Sequence, residues 1–425
     1  MPVTTGQDVE LLIERPAAGG RMIARHAGEV LLVGGAIPGE RVAARVTRAD
    51  RRVAFADTIR VLEASADRRE PPGDPRCGGC LYAHIAYGRQ RQLKAEIIRD
   101  AFVRIGRIAV ETAIEVAGSP EHGYRMRARV HVEEGRAGFY REGTHEPCEP
   151  RQTGQLLEAS IDAVEASVAS LVAQGHAVVA VELSENVGAD QRALHLDVRG
   201  RPPSTDALER VVAAAGLTGC TARTSDTSVQ SAGDPIVSDS TEALSGGRAP
   251  GGTLRRHPEA FFQANRYLVG DLVGAVLDNV SAAPVLELYA GVGLFSVALA
   301  AAGRGRTLAV EGDPVSGRDL LRNAAPYYDR LRVVRSSVEA FLAREIQPAP
   351  ATVLVDPPRT GLSKQAAGAI AHAGAQRIVY VSCDPPTMAR DARRLVDAGY
   401  RLSSLRGFDL FPNTPHVETL GVFER

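Results

Sequence analysis

The run Val379-Tyr380-Val381-Ser382-Cys383-Asp384-Pro385-Pro386 carries an apolar strand into a thiol and then into a helix start. Ligands of open α/β sheets gather outside the carboxyl ends of the strands, so Cys383 is placed to meet one. Asp384 suits a helix N-cap and Pro385 the first helical position. A sulfur at a helix amino terminus is drawn toward the thiolate, its nucleophilic form. The opposing reading is a buried cysteine acting as a small apolar residue.

Two further strand ends carry polar groups. Leu286-Glu287-Leu288-Tyr289-Ala290-Gly291-Val292-Gly293-Leu294-Phe295-Ser296 reads as a strand, a glycine turn and a helix start. A dinucleotide fingerprint places a third glycine or alanine where this chain has Ser296, which counts against nicotinamide and flavin. Glu311 closes the following strand about 20 residues on, where a carboxylate accepts hydrogen bonds from ribose hydroxyls. Glu287, just ahead of the turn, suits the cationic methionine portion of S-adenosylmethionine better than a pyrophosphate, which wants N–H groups free of nearby anions. Val355-Asp356-Pro357-Pro358-Arg359 ends another strand, a pattern with which several nucleic-acid methyltransferases hold a base or cofactor. Its plain alternative is a turn with proline supplying the stop.

These groups need a scaffold, and the alternation of strands and helices from about Pro258 onward supplies one. Strands are predicted at Val285 to Tyr289, Thr307 to Glu311, Arg332 to Val334, Thr352 to Asp356, Arg377 to Cys383, Tyr400 to Phe408 and Val417 to Phe423. That spacing predicts a doubly wound, mostly parallel sheet over residues 256–425. Residues 1–67 read as short strands between glycine turns (Val9 to Ile13, Glu29 to Val33, Glu40 to Val46), a small β-barrel of the kind that binds oligonucleotides. The proline-rich stretch Arg68 to Pro75 marks a boundary. Residues 68–255 read as a mixed α/β central domain. It opens on Cys77-Gly78-Gly79-Cys80, with helices at Gly88 to Ile105 and Ile161 to Val172, strands at Arg127 to Val132 and Ala177 to Leu183, and turns from Ser225 to Gly252.

Composition narrows the class. The 425 residues are 44% hydrophobic and the net charge is −1, so real cores are expected and no global attraction to nucleic acid. Local arginines (Arg41, Arg45, Arg48, Arg51, Arg52; then Arg125, Arg127, Arg129) either meet phosphates or are solvated strand faces. No long apolar run or leader-like start is present, which predicts a soluble cytoplasmic protein without a membrane partner. Five cysteines in such a chain are expected to stay reduced.

Taken in order, these motifs resemble the RNA (uracil-5-)-methyltransferases, and in particular the bacterial 23S ribosomal RNA branch with an amino-terminal TRAM domain. The likeness runs through Cys77 to Cys80 with Leu81-Tyr82-Ala83-His84, Tyr124-Arg125-Met126-Arg127, Phe261-Phe262-Gln263-Ala264-Asn265, the glycine turn, Asp356 to Arg359, Ser382 to Pro385, and Pro415-His416-Val417-Glu418-Thr419. It implies a class I methyltransferase sheet joined to a TRAM-like barrel and a central domain. It further implies transfer of methyl from S-adenosylmethionine to C5 of an RNA uridine by a single chain acting as a monomer. By the same resemblance Cys383 is the nucleophile and Glu418 the base, while Gln263, Tyr289, Glu311 and Asp356 contact the cofactor. Leu294 departs from the asparagine often found there, Ser337 substitutes for another polar contact, and His416 reads as a turn residue.

Uracil C5 is a poor nucleophile, and thiolate addition at C6 makes it electron-rich. A base must then remove the C5 proton, and the uridine must be unstacked to reach the thiol. The resemblance also implies a four-iron cluster on four cysteines. Cys77, Cys80 and Cys148 match three positions, but Pro71 stands at the first. An iron-sulfur cluster with a foreign ligand such as Asp74, a metal-free site and zinc all stay open. So do three other functions: transfer RNA as substrate, a non-catalytic RNA-binding assembly protein, and a nicotinamide oxidoreductase.

Overall fold

Apolar alternation builds the first unit. In the computed structural model, which describes residues 3–224, 229–280, 284–344 and 349–425, strand Asp8–Pro16 points Val9, Leu11 and Ile13 inward and its charged neighbours outward. It closes with Met22–His26, Glu29–Gly34, Ala54–Glu63 and Arg41–Ala49 into a five-stranded barrel. Closure leaves no free edge for stray strand pairing. Its outward arginines are largely paired: Arg45 donates to both oxygens of Asp8, Arg41 lies near Glu10 and Glu63, and Arg48 pairs with Asp50. The reading of this barrel face as a row of free phosphate contacts is therefore reduced.

The central sheet has seven strands, in the order Val229–Gly233, Gly219–Arg223, Arg192–Arg199, Ala177–Glu185, Arg127–Glu133, Arg136–Tyr140 and Pro147–Cys148. Helices Glu158–Ala173 and Thr205–Ala215 bury Ile161, Val164, Val168, Leu208 and Val211 with its apolar side chains. The stretch predicted as turns before Gly252 is partly ordered. Val229–Gly233 edges the central sheet, and Val237–Ser240 pairs with Thr253–Arg256. Both strands are short and polar, which hides period-two alternation; Ser225 to Ser228 lie outside the described residues.

The third sheet has eight strands, ordered Leu331–Arg335, Thr307–Glu311, Val285–Leu288, Thr352–Val355, Arg377–Ser382, Glu418–Glu424, Arg401–Phe408 and Val116–Ala117. The first five are mutually parallel, and Glu418–Glu424 runs antiparallel between its neighbours. Helices cover both faces, producing two apolar layers on either side of the sheet. Residues 87–117 belong with this sheet in space. Helix Tyr87–Asp100 and the π-turn Ala101–Ile105 bury Ile98 and Phe102 beside Met388 and Ala389, and Val116–Ala117 pairs with Gly407 and Phe408.

That helix also clamps the connection leading into Glu418. Lys94 Nζ donates to Asp409 Oδ1 at 2.5 Å with both side chains fully buried, and also to the Phe411 carbonyl. Gln90 bonds Asn413, which adopts a left-handed φ of 64°. A buried ion pair costs desolvation, but losing one partner strands the other charge. Lys94→Met should therefore destabilise the protein by about 3–5 kcal/mol, read as a lower urea midpoint; an unchanged midpoint would remove this clamp.

Candidate active site

The strand order reverses between Val285–Leu288 and Thr352–Val355, whose outer neighbours are the following strands on opposite sides. Crevices form outside the carboxyl ends at such a switch point. Both predicted ligand turns leave those two ends. Tyr289 follows its strand with φ 61°, a conformation costing a non-glycine residue on the order of 1–3 kcal/mol. Gly293 has φ 94°, and a Cβ there would approach Leu320 to 2.7 Å. Glu311 steadies the turn by accepting from the Gly291 N–H at 2.7 Å and the Asp313 N–H at 2.6 Å. Its carboxylate keeps lone pairs for a ligand.

Cys383 directly follows strand Arg377–Ser382. Asp384 caps the next helix, Pro385–Asp397, by accepting from the Thr387 N–H at 2.9 Å, with Pro385 in its first turn as predicted. Glu418 reaches the thiol from 35 residues away because its strand runs antiparallel and pairs Thr419 with Ser382. Asp356 accepts from Gln263 Nε2 at 3.3 Å. Gln263, Tyr289, Glu311, Asp356, Cys383 and Glu418 all line one cavity of about 830 Å³. All six residues predicted for cofactor and chemistry are thus brought together.

The electrostatics differ from the sequence reading in two places. Burial, reinforced by Glu418 and opposed by Arg359, pushes the Cys383 thiol up to about 11. Desolvation outweighs the helix terminus, so the resting sulfur is a thiol. Glu287 is not on the cavity wall; it is buried behind the turn, where desolvation raises it to about 8. Of the acidic groups that line the cavity, Asp356 is raised to about 7 by burial, and Glu418 is raised well above the carboxylate range by burial and by Asp356. Glu418 Oε1 is buried with no hydrogen-bond partner among the described residues. A cavity that leaves two carboxyls under-compensated suits a cationic ligand, and with the Glu311 turn it fits S-adenosylmethionine.

Two neighbours of the thiol were missed or undervalued. Arg359 Nη2 donates to His416 Nδ1 at 2.8 Å, and both side chains line the cavity. Burial and Arg359 lower His416 to about 4, so it stays neutral and accepts. Arg359 was legible as the last residue of its motif; a single histidine in a turn carried no such signal. Ser337 caps the helix Val338–Leu342 instead of reaching the cavity. Leu294 is buried at the start of helix Leu294–Ala301.

The cysteine expectation needs correcting. Cys77 and Cys148 are joined by a disulfide, and Cys80 is a buried free thiol. Asp74, the suggested foreign ligand, pairs with Arg141 at 2.5 Å. Among the described residues no group of three His, Cys, Asp or Glu is arranged to hold a metal, so the predicted ligand set of Cys77, Cys80 and Cys148 is not supported.

Comparison with known proteins agrees with this geometry. Residues 252–425 match the tRNA (uracil-5-)-methyltransferase family model and residues 2–59 the TRAM domain. An RNA methyltransferase of Streptomyces avermitilis is 32% identical over 99% of this chain and 98% of its own length. The 23S rRNA (uracil(1939)-C(5))-methyltransferase RlmD of Pseudomonas entomophila is 33% identical over 99% of this chain and 95% of its own. The Pyrococcus abyssi tRNA (uracil-54, C5)-methyltransferase, solved with S-adenosyl-L-homocysteine, shares the fold at a TM-score of 0.76 and 22% identity, covering 97% of this chain and 99% of that one. The chain belongs to the RNA (uracil-5-)-methyltransferase family and is an S-adenosylmethionine-dependent enzyme acting on C5 of uracil in RNA.

A raised thiol pKa has a direct readout. Alkylation of Cys383 by iodoacetamide, followed by peptide mass spectrometry, should accelerate about tenfold per pH unit from pH 8 toward 10, since only the thiolate reacts. Arg359→Met should slow it at every pH; a rate already level at pH 8 would contradict the buried-thiol electrostatics.

Proposed function

We propose that this enzyme methylates a uridine of 23S ribosomal RNA through a covalent bond between Cys383 and C6. The observation that carries the reading is the convergence of Cys383, Glu418 and Asp356 on the cavity wall that also holds the glycine turn. The ribosomal substrate is supported by full-length similarity to proteins named for that activity and by the TRAM barrel.

S-adenosylmethionine, when bound, supplies a methyl group on a positively charged sulfur. Gln263, Tyr289, Glu311 and Asp356 are the residues that would hold it. Cys383 gives its thiol proton to solvent and the thiolate sulfur adds to C6, moving the C5–C6 π electrons toward C5 and O4. Arg359 stabilises the thiolate from beside it. C5 takes the methyl group and then carries both methyl and hydrogen. Glu418, as carboxylate, removes that hydrogen as a proton; the electron pair restores the C5–C6 double bond and expels the Cys383 thiolate. Burial pushes Glu418 toward its protonated form, and the positive charge of Arg359 opposes that shift.

The four-cysteine cluster implied by the resemblance lacks its donors here: Pro71 has no ligating atom and Cys77 is bonded to Cys148. Methyl transfer by this route needs no electron transfer. We further propose that the enzyme acts as a monomer. We also place the enzyme in the cytoplasm, where ribosomal RNA is made and modified.

Nucleoside mass spectrometry of 23S and transfer RNA from a deletion strain should reveal loss of one 5-methyluridine in 23S RNA; loss only from transfer RNA would overturn the substrate. With unmodified RNA and cofactor, Cys383→Ala should be inactive. Glu418→Gln should accumulate a methylated protein–RNA adduct that survives a denaturing gel, and its absence would count against Glu418 as the base.

A further inference from the structure

Three arginines of the strand-end segment 125–129 line the cavity, and they are not equivalent. Arg127 and Arg129 both contact Glu182, at 3.5 Å and 2.8 Å, and Arg129 also reaches Asp197 at 3.0 Å. Arg125 pairs with no carboxylate among the described residues. Its Nη1 donates to Gln155 Oε1 at 2.7 Å and its Nε to the Arg127 carbonyl at 3.0 Å, both neutral acceptors. Nη2 has no partner among the described residues, although the side chain lines the cavity.

The guanidinium is also held in place. Its carbon lies 5.3 Å from the Phe139 ring centre and 5.8 Å from that of Phe411, and the backbone on either side is tied to Gln155 and Ala264. The aromatic rings take its faces and leave an edge of N–H groups toward the open volume. Phe411 in turn packs edge-on against His416, the partner of Arg359. One wall therefore runs from Arg125 through Phe411 and His416 to Arg359 beside the thiol. Burial disfavours the Arg125 charge, and Arg127 adds to the effect. A fixed cation without a carboxylate partner, lining the same cavity as the reacting thiol, gains most from an anion delivered with the substrate.

We infer that Arg125 is a built subsite for a backbone phosphate of the RNA, adjoining the target uridine. This rests on the RNA methyltransferase reading and adds the position and chemistry of one anchor. A phosphate is favoured over a base edge because the base edges carry no net charge, and Arg125 lacks only charge compensation. The contact fixes the strand so that the unstacked uridine enters the cavity beside Cys383, which makes Arg125 a substrate-anchoring residue without a role in bond making.

The test uses the full-length enzyme with S-adenosylhomocysteine and a uridine-loop RNA hairpin, binding being measured over a range of salt. Arg125→Met should weaken RNA binding and lower the slope of log affinity against log salt by about 0.7–0.9, with S-adenosylhomocysteine affinity unchanged as evidence of an intact fold. Arg125→Lys should restore most of the slope. Independently, replacing single phosphates of the hairpin by neutral methylphosphonates should identify one linkage next to the reactive uridine whose neutralisation weakens the wild type but not Arg125→Met. An unchanged slope, or no such linkage, overturns the subsite while leaving the methyltransferase reading intact. Failure of the wild type to bind or methylate any RNA overturns both.

Discussion

The antiparallel pairing of Glu418–Glu424 with Arg377–Ser382 is the contact on which this active site depends. A parallel strand in that slot would start at the opposite edge of the sheet and leave its first residue far from Cys383. Running antiparallel, it starts where its neighbour ends, so a carboxyl and a thiol share one edge. The same edge receives the glycine turn and Asp356 from the two strands at the switch point. Chemistry and cofactor site thus follow from one sheet with one reversed strand.

Holding these groups together has an electrostatic cost. Asp356, Glu418 and Cys383 are all shifted toward their neutral forms by burial; Arg359 opposes the shift at Glu418 and Cys383, and the Gln263 hydrogen bond opposes it at Asp356. Burial favours the neutral forms of Asp356 and Glu418, and a bound cation would shift both back toward ionisation. Tyr289 stores further strain at the turn. Rigid surroundings tolerate this: Lys94–Asp409 and Gln90–Asn413 anchor the connection before Glu418 from helix Tyr87–Asp100.

The central domain meets this site with its own edge. Gly78 and Gly79 line the cavity, between Cys77, bonded to Cys148, and the buried Cys80. The cysteine motif therefore shapes the substrate side of the cavity through backbone, whether or not it ever carries a metal in relatives. The basic strand Arg127–Glu133 faces the same space, with its charge partly spent on Glu182 and Asp197. What differs between neighbouring arginines is the partner across the sheet, a property of pairing and not of residue type.

Residue type and spacing alone determined the three-part order, the strand-end positions of Tyr289, Glu311, Asp356 and Cys383, and the cap at Asp384. Those are local matters: period, turn chemistry and helix starts act within a few residues. Short polar strands such as Val229–Gly233, and the attachment of residues 87–117 to the last sheet, were not legible because distant partners stabilise them. The resemblance named Glu418, but its place beside Cys383, the raised thiol, the Arg359–His416 pair, the Cys77–Cys148 bond and the unmatched charge of Arg125 were decided only by tertiary structure. Burial and long-range pairing set each of them, and both exist only once the chain has closed on itself.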